Sequence, residues 1–119
     1  MKEPGPDHPI TIAPHAGRIR VIANGITVAD TTRALALKEA SYPEVLYIPR
    51  EDALWDHFAR NARTTHCPYK GEANYFDLDV GGPPRQAAVC SYEKPFPAVA
   101  RIKEYLAFYP DKVDAIEEG

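Results

Sequence analysis

The densest chemistry in the chain lies in one run, Thr64-Thr65-His66-Cys67-Pro68-Tyr69-Lys70-Gly71-Glu72-Ala73-Asn74-Tyr75, where an imidazole, a thiol, an ammonium, a carboxylate and two phenols surround a proline and a glycine. Lys70 offers a point charge to a carboxylate or phosphate, and Arg50, earlier in the chain, offers a planar fork for the same groups. Tyr69 and Tyr75 supply flat apolar faces with hydroxyl tips. His66 is either a proton carrier near neutral pH or a hydrogen-bonded structural histidine. Together with Glu51, these residues form the expected ligand-binding set: Arg50, Glu51, His66, Tyr69, Lys70 and Tyr75. The competing structural reading pairs Arg50 with Glu51 or Glu72 and leaves the tyrosines at the edge of the core. A His66–Cys67 dyad is disfavoured, because neighbours on an extended chain point to opposite faces, and Cys67 reads as a small buried hydrophobe.

These side chains need a frame. Pro68 fixes its own φ and drives Cys67 toward extended geometry, while Gly71 accepts the positive φ of a tight reversal, so Pro68-Tyr69-Lys70-Gly71 is a turn. Beyond it, Phe76, Leu78 and Val80 alternate with Tyr75, Asp77 and Asp79, the period of a half-buried strand with its apolar face inward. Upstream, Asn24-Gly25 separates two β-branched runs and marks a hairpin. Residues 33–39 have a helix-forming composition but alternate as a strand would, which leaves strand preferred over helix, and Val45 to Ile48 is a short buried strand. Glu51 to Arg60 reads as a short helix, with acidic residues at its start and Leu54 and Phe58 four apart, and Trp55 beside that stripe packs in the core. Gln86 to Tyr92 is another strand, Ala98 to Glu104 makes two helical turns with Val99 and Ile102 inward, Tyr105 to Tyr109 is a strand, and Val113 to Ile116 pairs back.

Composition bounds the rest. A chain of 119 residues, 45% hydrophobic, suits one domain with a core of its own. Residues 1–17 hold four prolines and two histidines with little periodicity, so an arm that is mobile or loosely laid on the surface is expected, with 18–119 as the domain. A net charge of -3 with dispersed cations argues against a nucleic-acid coat protein. No apolar run is long enough to span a bilayer and the amino terminus lacks a signal-peptide core, so a cytoplasmic location is expected. Two cysteines, Cys67 and Cys90, form no C-x-x-C pair; reduced thiols are expected, and no metal or cofactor is implied.

Several segments, in order, resemble one bacterial family, domain of unknown function 427: Asn24-Gly25 with Val28-Ala29-Asp30, Tyr47-Ile48-Pro49-Arg50-Glu51-Asp52, the run from Thr64 to Tyr75, and Tyr105-Leu106-Ala107-Phe108-Tyr109 ahead of Val113-Asp114. The resemblance implies a small, mainly β, antiparallel domain of the β-tent kind, two sheets leaning together at one edge, with one or two short helices. Family-level labels sometimes say nucleotidyltransferase. The residues carry no Gly-Ser strand-turn ahead of paired aspartates, and Asp77 and Asp79 are explained by a solvated strand face. Three functions follow as expectations: binding of a small anionic or nucleotide-like ligand in a cleft between the sheets, a nucleotidyltransferase-like enzyme, or a protein-interaction domain. The sequence leaves the oligomeric state open.

Overall fold

A computed structural model describes residues 1–119. It contains ten strands: β1 (Ile10–Pro14), β2 (Ile19–Ala23), β3 (Ile26–Thr31), β4 (Leu35–Glu39), β5 (Val45–Tyr47), β6 (Phe58–Cys67), β7 (Gly71–Leu78), β8 (Arg85–Ser91), β9 (Leu106–Phe108) and β10 (Ala115–Glu118). The helical elements are short 3-10 turns at Arg50–Asp52, Trp55–His57, Pro97–Ile102 and Pro110–Lys112. No helix is long and apolar enough to cross a membrane.

The strands form three antiparallel sheets, ordered β1-β4-β5, β10-β2-β3 and β6-β7-β8-β9. The four-stranded sheet is the middle layer. Phe76, Leu78 and Val89 on one of its faces join Ile19, Val21 and Val28 of the β10-β2-β3 sheet in the larger core cluster. Ala73, Tyr75 and Cys90 on the other face join Leu35, Leu37 and Tyr47 of the β1-β4-β5 sheet in the second. Besides this packing, a main-chain bridge ties the β1-β4-β5 sheet to the middle sheet: Ile48 N–H donates to the Leu106 carbonyl and Leu106 N–H to the Ile48 carbonyl, each at 2.8 Å.

Local chemistry explains most of the elements. Asn24 and Gly25 have φ of 50° and 73°, the paired positive values of the turn whose twist suits a two-residue hairpin. The 33–39 segment is a strand from Leu35 onward, with Leu35 and Leu37 on its buried face. Val99 and Ile102 are fully buried on the 3-10 turn at Pro97–Ile102. The closing strand does not return to β9; it crosses to pair with β2, with Ala115 opposite Ile22.

Two expectations are corrected. The helix over Glu51 to Arg60 is replaced by two 3-10 turns and the start of β6, because Leu54 is exposed and its N–H bonds the Val28 carbonyl at 2.8 Å while Phe58 pairs with Leu78 across a strand ladder. The segment before Arg18 is tied down rather than loosely laid: Ile10–Pro14 is the outer strand of the β1-β4-β5 sheet, with Ile12 opposite Leu37. Ile10 and Ile12 pack on the second core cluster, which is the apolar gain that holds this strand in place.

Ile48 is fully buried where the two sheets meet, so Ile48→Ala is expected to lower stability by about 2–5 kcal/mol in urea unfolding. Thr64→Ala on the exposed part of β6 is expected to stay within about 0.5 kcal/mol of the parent. Equal losses at both positions would show that the joint does not carry the fold.

Candidate functional site

The middle sheet decides which of the expected site residues can meet. Directly opposed strand residues share a face, so Tyr75 and Cys90 lie on one side and Phe76 and Val89 on the other, with Ser91 on the side of Phe76. The Arg50 guanidinium stands 5.5 Å from the ring centroid of Phe76 and donates to the Ser91 hydroxyl at 2.7 Å. Lys70 stands 5.5 Å from the ring centroid of Tyr92, on the opposite face. The structure therefore separates Arg50 and Glu51 from Lys70, His66 and Tyr69, and the single concavity expected from the sequence does not form.

On the Arg50 side the charges satisfy one another. Arg50 donates to Glu93 at 3.0 Å and to the Glu104 carbonyl at 2.9 Å, and Arg60 shares the Glu93 carboxylate at 2.8 Å. The Arg60 hydrogen bond, helped by Arg50 and opposed by partial burial, holds the Glu93 carboxyl below the usual glutamate range. Trp55 does not enter the core fully; its indole N–H caps the Arg50 carbonyl at 2.9 Å and its ring meets Phe76 edge-on. Glu51 is exposed and pairs with Arg33 at 3.1 Å.

The other face presents a cleft between the β1-β4-β5 sheet and the middle sheet. A cavity of about 220 Å³ is lined by Tyr47, Lys70, Cys90, Tyr92 and Tyr109 with apolar residues of β5 and β9. A groove of about 470 Å³ lies alongside it, lined among others by His8, Glu39, His66, Cys67, Tyr69 and Lys70. Lys70 and Val45 stand in the walls of both. Of the expected set, the cleft thus gathers His66, Tyr69 and Lys70. Tyr75 joins it indirectly, through a hydroxyl contact of 3.2 Å to Tyr109 and another of 2.8 Å to Thr65.

Lys70 is placed by the turn that its own sequence dictates. Gly71, at φ of 109°, ends the reversal, and a Cβ there would stand 3.4 Å from the Lys94 carbonyl oxygen. The chain can then bring the Lys70 stem under the sheet, where its ammonium donates to Glu39 Oε1 at 3.0 Å. Glu39 Oε2 receives the His8 ring at 2.7 Å. Burial pushes the Glu39 carboxyl up, but the hydrogen bonds from His8 and Lys70 outweigh it and hold the group below the usual range. One ammonium N–H serves Glu39, which leaves Lys70 further donors for another acceptor.

Around Lys70 the phenols of Tyr47, Tyr92 and Tyr109 and the thiol of Cys90 stay protonated. Burial pushes the pKa of Tyr47, Tyr92 and Tyr109 above the usual phenol range, and that of Cys90 above the usual thiol range. No side-chain hydrogen bond within the protein engages the hydroxyl of Tyr47 or Tyr92, so both remain donors on the cleft wall. Chemically, the cleft offers neutral donors and one cation to an acceptor, with ring faces around them. Asp77 is occupied elsewhere: it accepts from Asn61 and from the Ala87 N–H, both at 2.8 Å, fixing a bulge where Ala87 has φ of 51°. No group of three or more His, Cys, Asp or Glu residues is arranged to hold a metal ion.

Sequence reading missed Glu39, Tyr47, Cys90, Tyr92 and Tyr109. Each sits on or beside a strand that the pattern does find, but nothing in the pattern says which strands face one another across the cleft.

The Glu39 linkage has a definite sign. Its folded carboxyl titrates below the ordinary 4.5, so the stabilisation is complete above that value and is lost as pH falls from about 4.5 through the lowered value. Glu39→Gln is therefore expected to shrink the drop in urea midpoint between pH 7 and pH 3. An unchanged drop would remove Glu39 from the acid sensitivity of the fold.

Comparison with known proteins bears on this architecture. A search of curated proteins found no match. The family model described as a domain of unknown function (DUF427) matches residues 11–119, the span that contains all ten strands but the first residue of β1, together with Glu39, Lys70 and the three tyrosines of the cleft. The chain belongs to the DUF427 family.

Proposed function

We propose that this domain binds a small molecule in the cleft between the β1-β4-β5 sheet and the middle sheet, with an anionic or other acceptor group at Lys70. The observation that carries the reading is the placement of Lys70: a largely enclosed ammonium in the walls of both cavities, flanked by the protonated hydroxyls of Tyr47 and Tyr92. Donors set in a low-dielectric wall gain strength because water does not compete for the acceptor. Tyr92 and Tyr109 add ring faces on which a flat group can pack.

Size narrows the ligand. The inner cavity of about 220 Å³ falls short of the roughly 300 Å³ at which pockets for drug-sized molecules begin, so it suits a single ring. The neighbouring groove of about 470 Å³ gives room for the rest of a longer, nucleotide-like molecule. The proposed class is a carboxylate or phosphate ester of a single ring, or a nucleotide spanning Lys70. Arg50 and Glu51 are not part of this site. A nucleotidyltransferase-like activity has less support, since Asp77 is held by Asn61 and Ala87 and Asp79 is exposed.

A thermal-shift screen with benzoate, phenyl phosphate and adenosine monophosphate tests the reading. A ligand at 100-fold its Kd is expected to stabilise the parent by about 2.7 kcal/mol. Lys70→Met is expected to lose that response while Arg50→Ala keeps it. If every stabilising compound acts equally on the parent and on Lys70→Met, the cleft is not the binding site.

A further inference from the structure

One wall of the groove beside Lys70 is a ring from the segment ahead of β1. The imidazole of His8 lies parallel to the Tyr69 ring, with centroids 3.8 Å apart and planes 6° from coplanar. In the same pose its Nε2 reaches Glu39 Oε2 at 2.7 Å. These two contacts are geometrically independent: the stack fixes the plane of the ring, and the carboxylate fixes which edge of the ring faces inward. Glu39 cannot swing away from this role, because Lys70 holds its other oxygen at 3.0 Å.

The backbone delivers His8 to that position with little to spare. Gly5 and His8 bond each other's main chain at 3.2 and 3.0 Å, closing a tight loop. Lys2 N–H donates to the Pro68 carbonyl at 2.8 Å, and the Lys2 ammonium lies 5.9 Å from the Tyr69 ring centroid. On the other side of His8, the Ala40 N–H bonds the Pro9 carbonyl at 2.7 Å. The imidazole is thus a side chain on a short strap anchored at both ends, set over the rim of the 470 Å³ groove.

We infer that Tyr69 and Glu39 form a subsite for a flat nitrogen heterocycle carrying an N–H donor on its rim, and that His8 occupies this subsite as an intramolecular competitor. An imidazole or the N–H-bearing edge of a purine meets both requirements; a flat ring without an N–H meets only one. A tether presents its group at an effective concentration on the order of millimolar, so a free heterocycle must displace His8 before it can bind. The subsite is separate from the phenol-lined cavity, and the inference does not rest on that cavity taking a ligand.

The test is an NMR titration of the full chain at pH 7.5 with imidazole, adenine and, as a flat ring lacking a donor, pyridine. His8→Ala is expected to show saturable shifts at the amides of Tyr69 and Glu39 with imidazole and adenine, at an affinity at least tenfold above the parent protein. Pyridine is expected to give no saturable shift. Adding Glu39→Gln to His8→Ala is expected to abolish the imidazole response, with the spectrum reporting that the double variant is folded. Equal affinity in the parent and in His8→Ala, an unchanged response in the folded double variant, or saturable pyridine binding would each overturn the inference. Failure of the phenol-lined cavity would appear separately, in the Lys70→Met thermal shifts.

Discussion

The constraint on which the rest of the molecule depends is that the β6-β7-β8-β9 sheet is covered on both faces. A sheet with one wet face can alternate apolar and polar residues, but β7 must place Tyr75 and Phe76 on successive positions and bury both. Charge along such a strand is confined to exposed Glu72 near the turn and to Asp77, whose carboxylate is held by Asn61 and the Ala87 N–H. The rest is displaced to the ends and edges, which is why Lys70 sits at the turn before β7 and Arg60 on the outer strand β6. The same layer prevents groups on opposite faces from acting together, and so it keeps Arg50 and Arg60 in a separate neighbourhood from Lys70.

Those neighbourhoods differ in character. Around Arg50 the two guanidiniums, Glu93 and Ser91 are joined by hydrogen bonds, with Phe76 and Trp55 against them, and the result is a stitched surface. Around Lys70 the stitching is incomplete. Taking a lysine and a glutamate partly out of water is costly, and their attraction compensates only when further hydrogen bonds complete the arrangement. Here Glu39 gains its second donor from His8, thirty-one positions away, while Lys70 has protein partners for only part of its donor capacity. A largely enclosed cation with unused donors beside neutral hydroxyls is the feature on which the proposed ligand site rests.

Much of the frame is written locally. The Asn24-Gly25 hairpin, the alternation through Phe76, Leu78 and Val80, and the inward pair Val99 and Ile102 all follow from short-range chemistry and all appear in the structure. What fails is the reading of segments whose partners are distant. β6 carries its ladder on an outer edge, with a register shift between Asn61 and Thr64, so Ala59, Arg60, Ala62, Arg63 and Thr64 show none of the alternation by which a strand is recognised. Leu54 and Phe58 then imitate a helical stripe although one pairs toward β3 and the other toward β7. The candidate site is legible to the same extent: His66, Tyr69 and Lys70 lie within five residues of one another and group together in the sequence, whereas nothing in the sequence says which face of the sheet the distant Arg50 occupies.

The joint between Ile48 and Leu106 consists of main-chain atoms only, and this has an evolutionary corollary. Because amide and carbonyl groups are common to nearly every residue, the seam that keeps the two halves of the roof together makes no demand on the side chains hanging beneath it. The linings themselves are less free to drift, since Tyr47, Cys90 and Tyr92 also fill the space between the rafters, and any exchange there must keep volume as well as polarity.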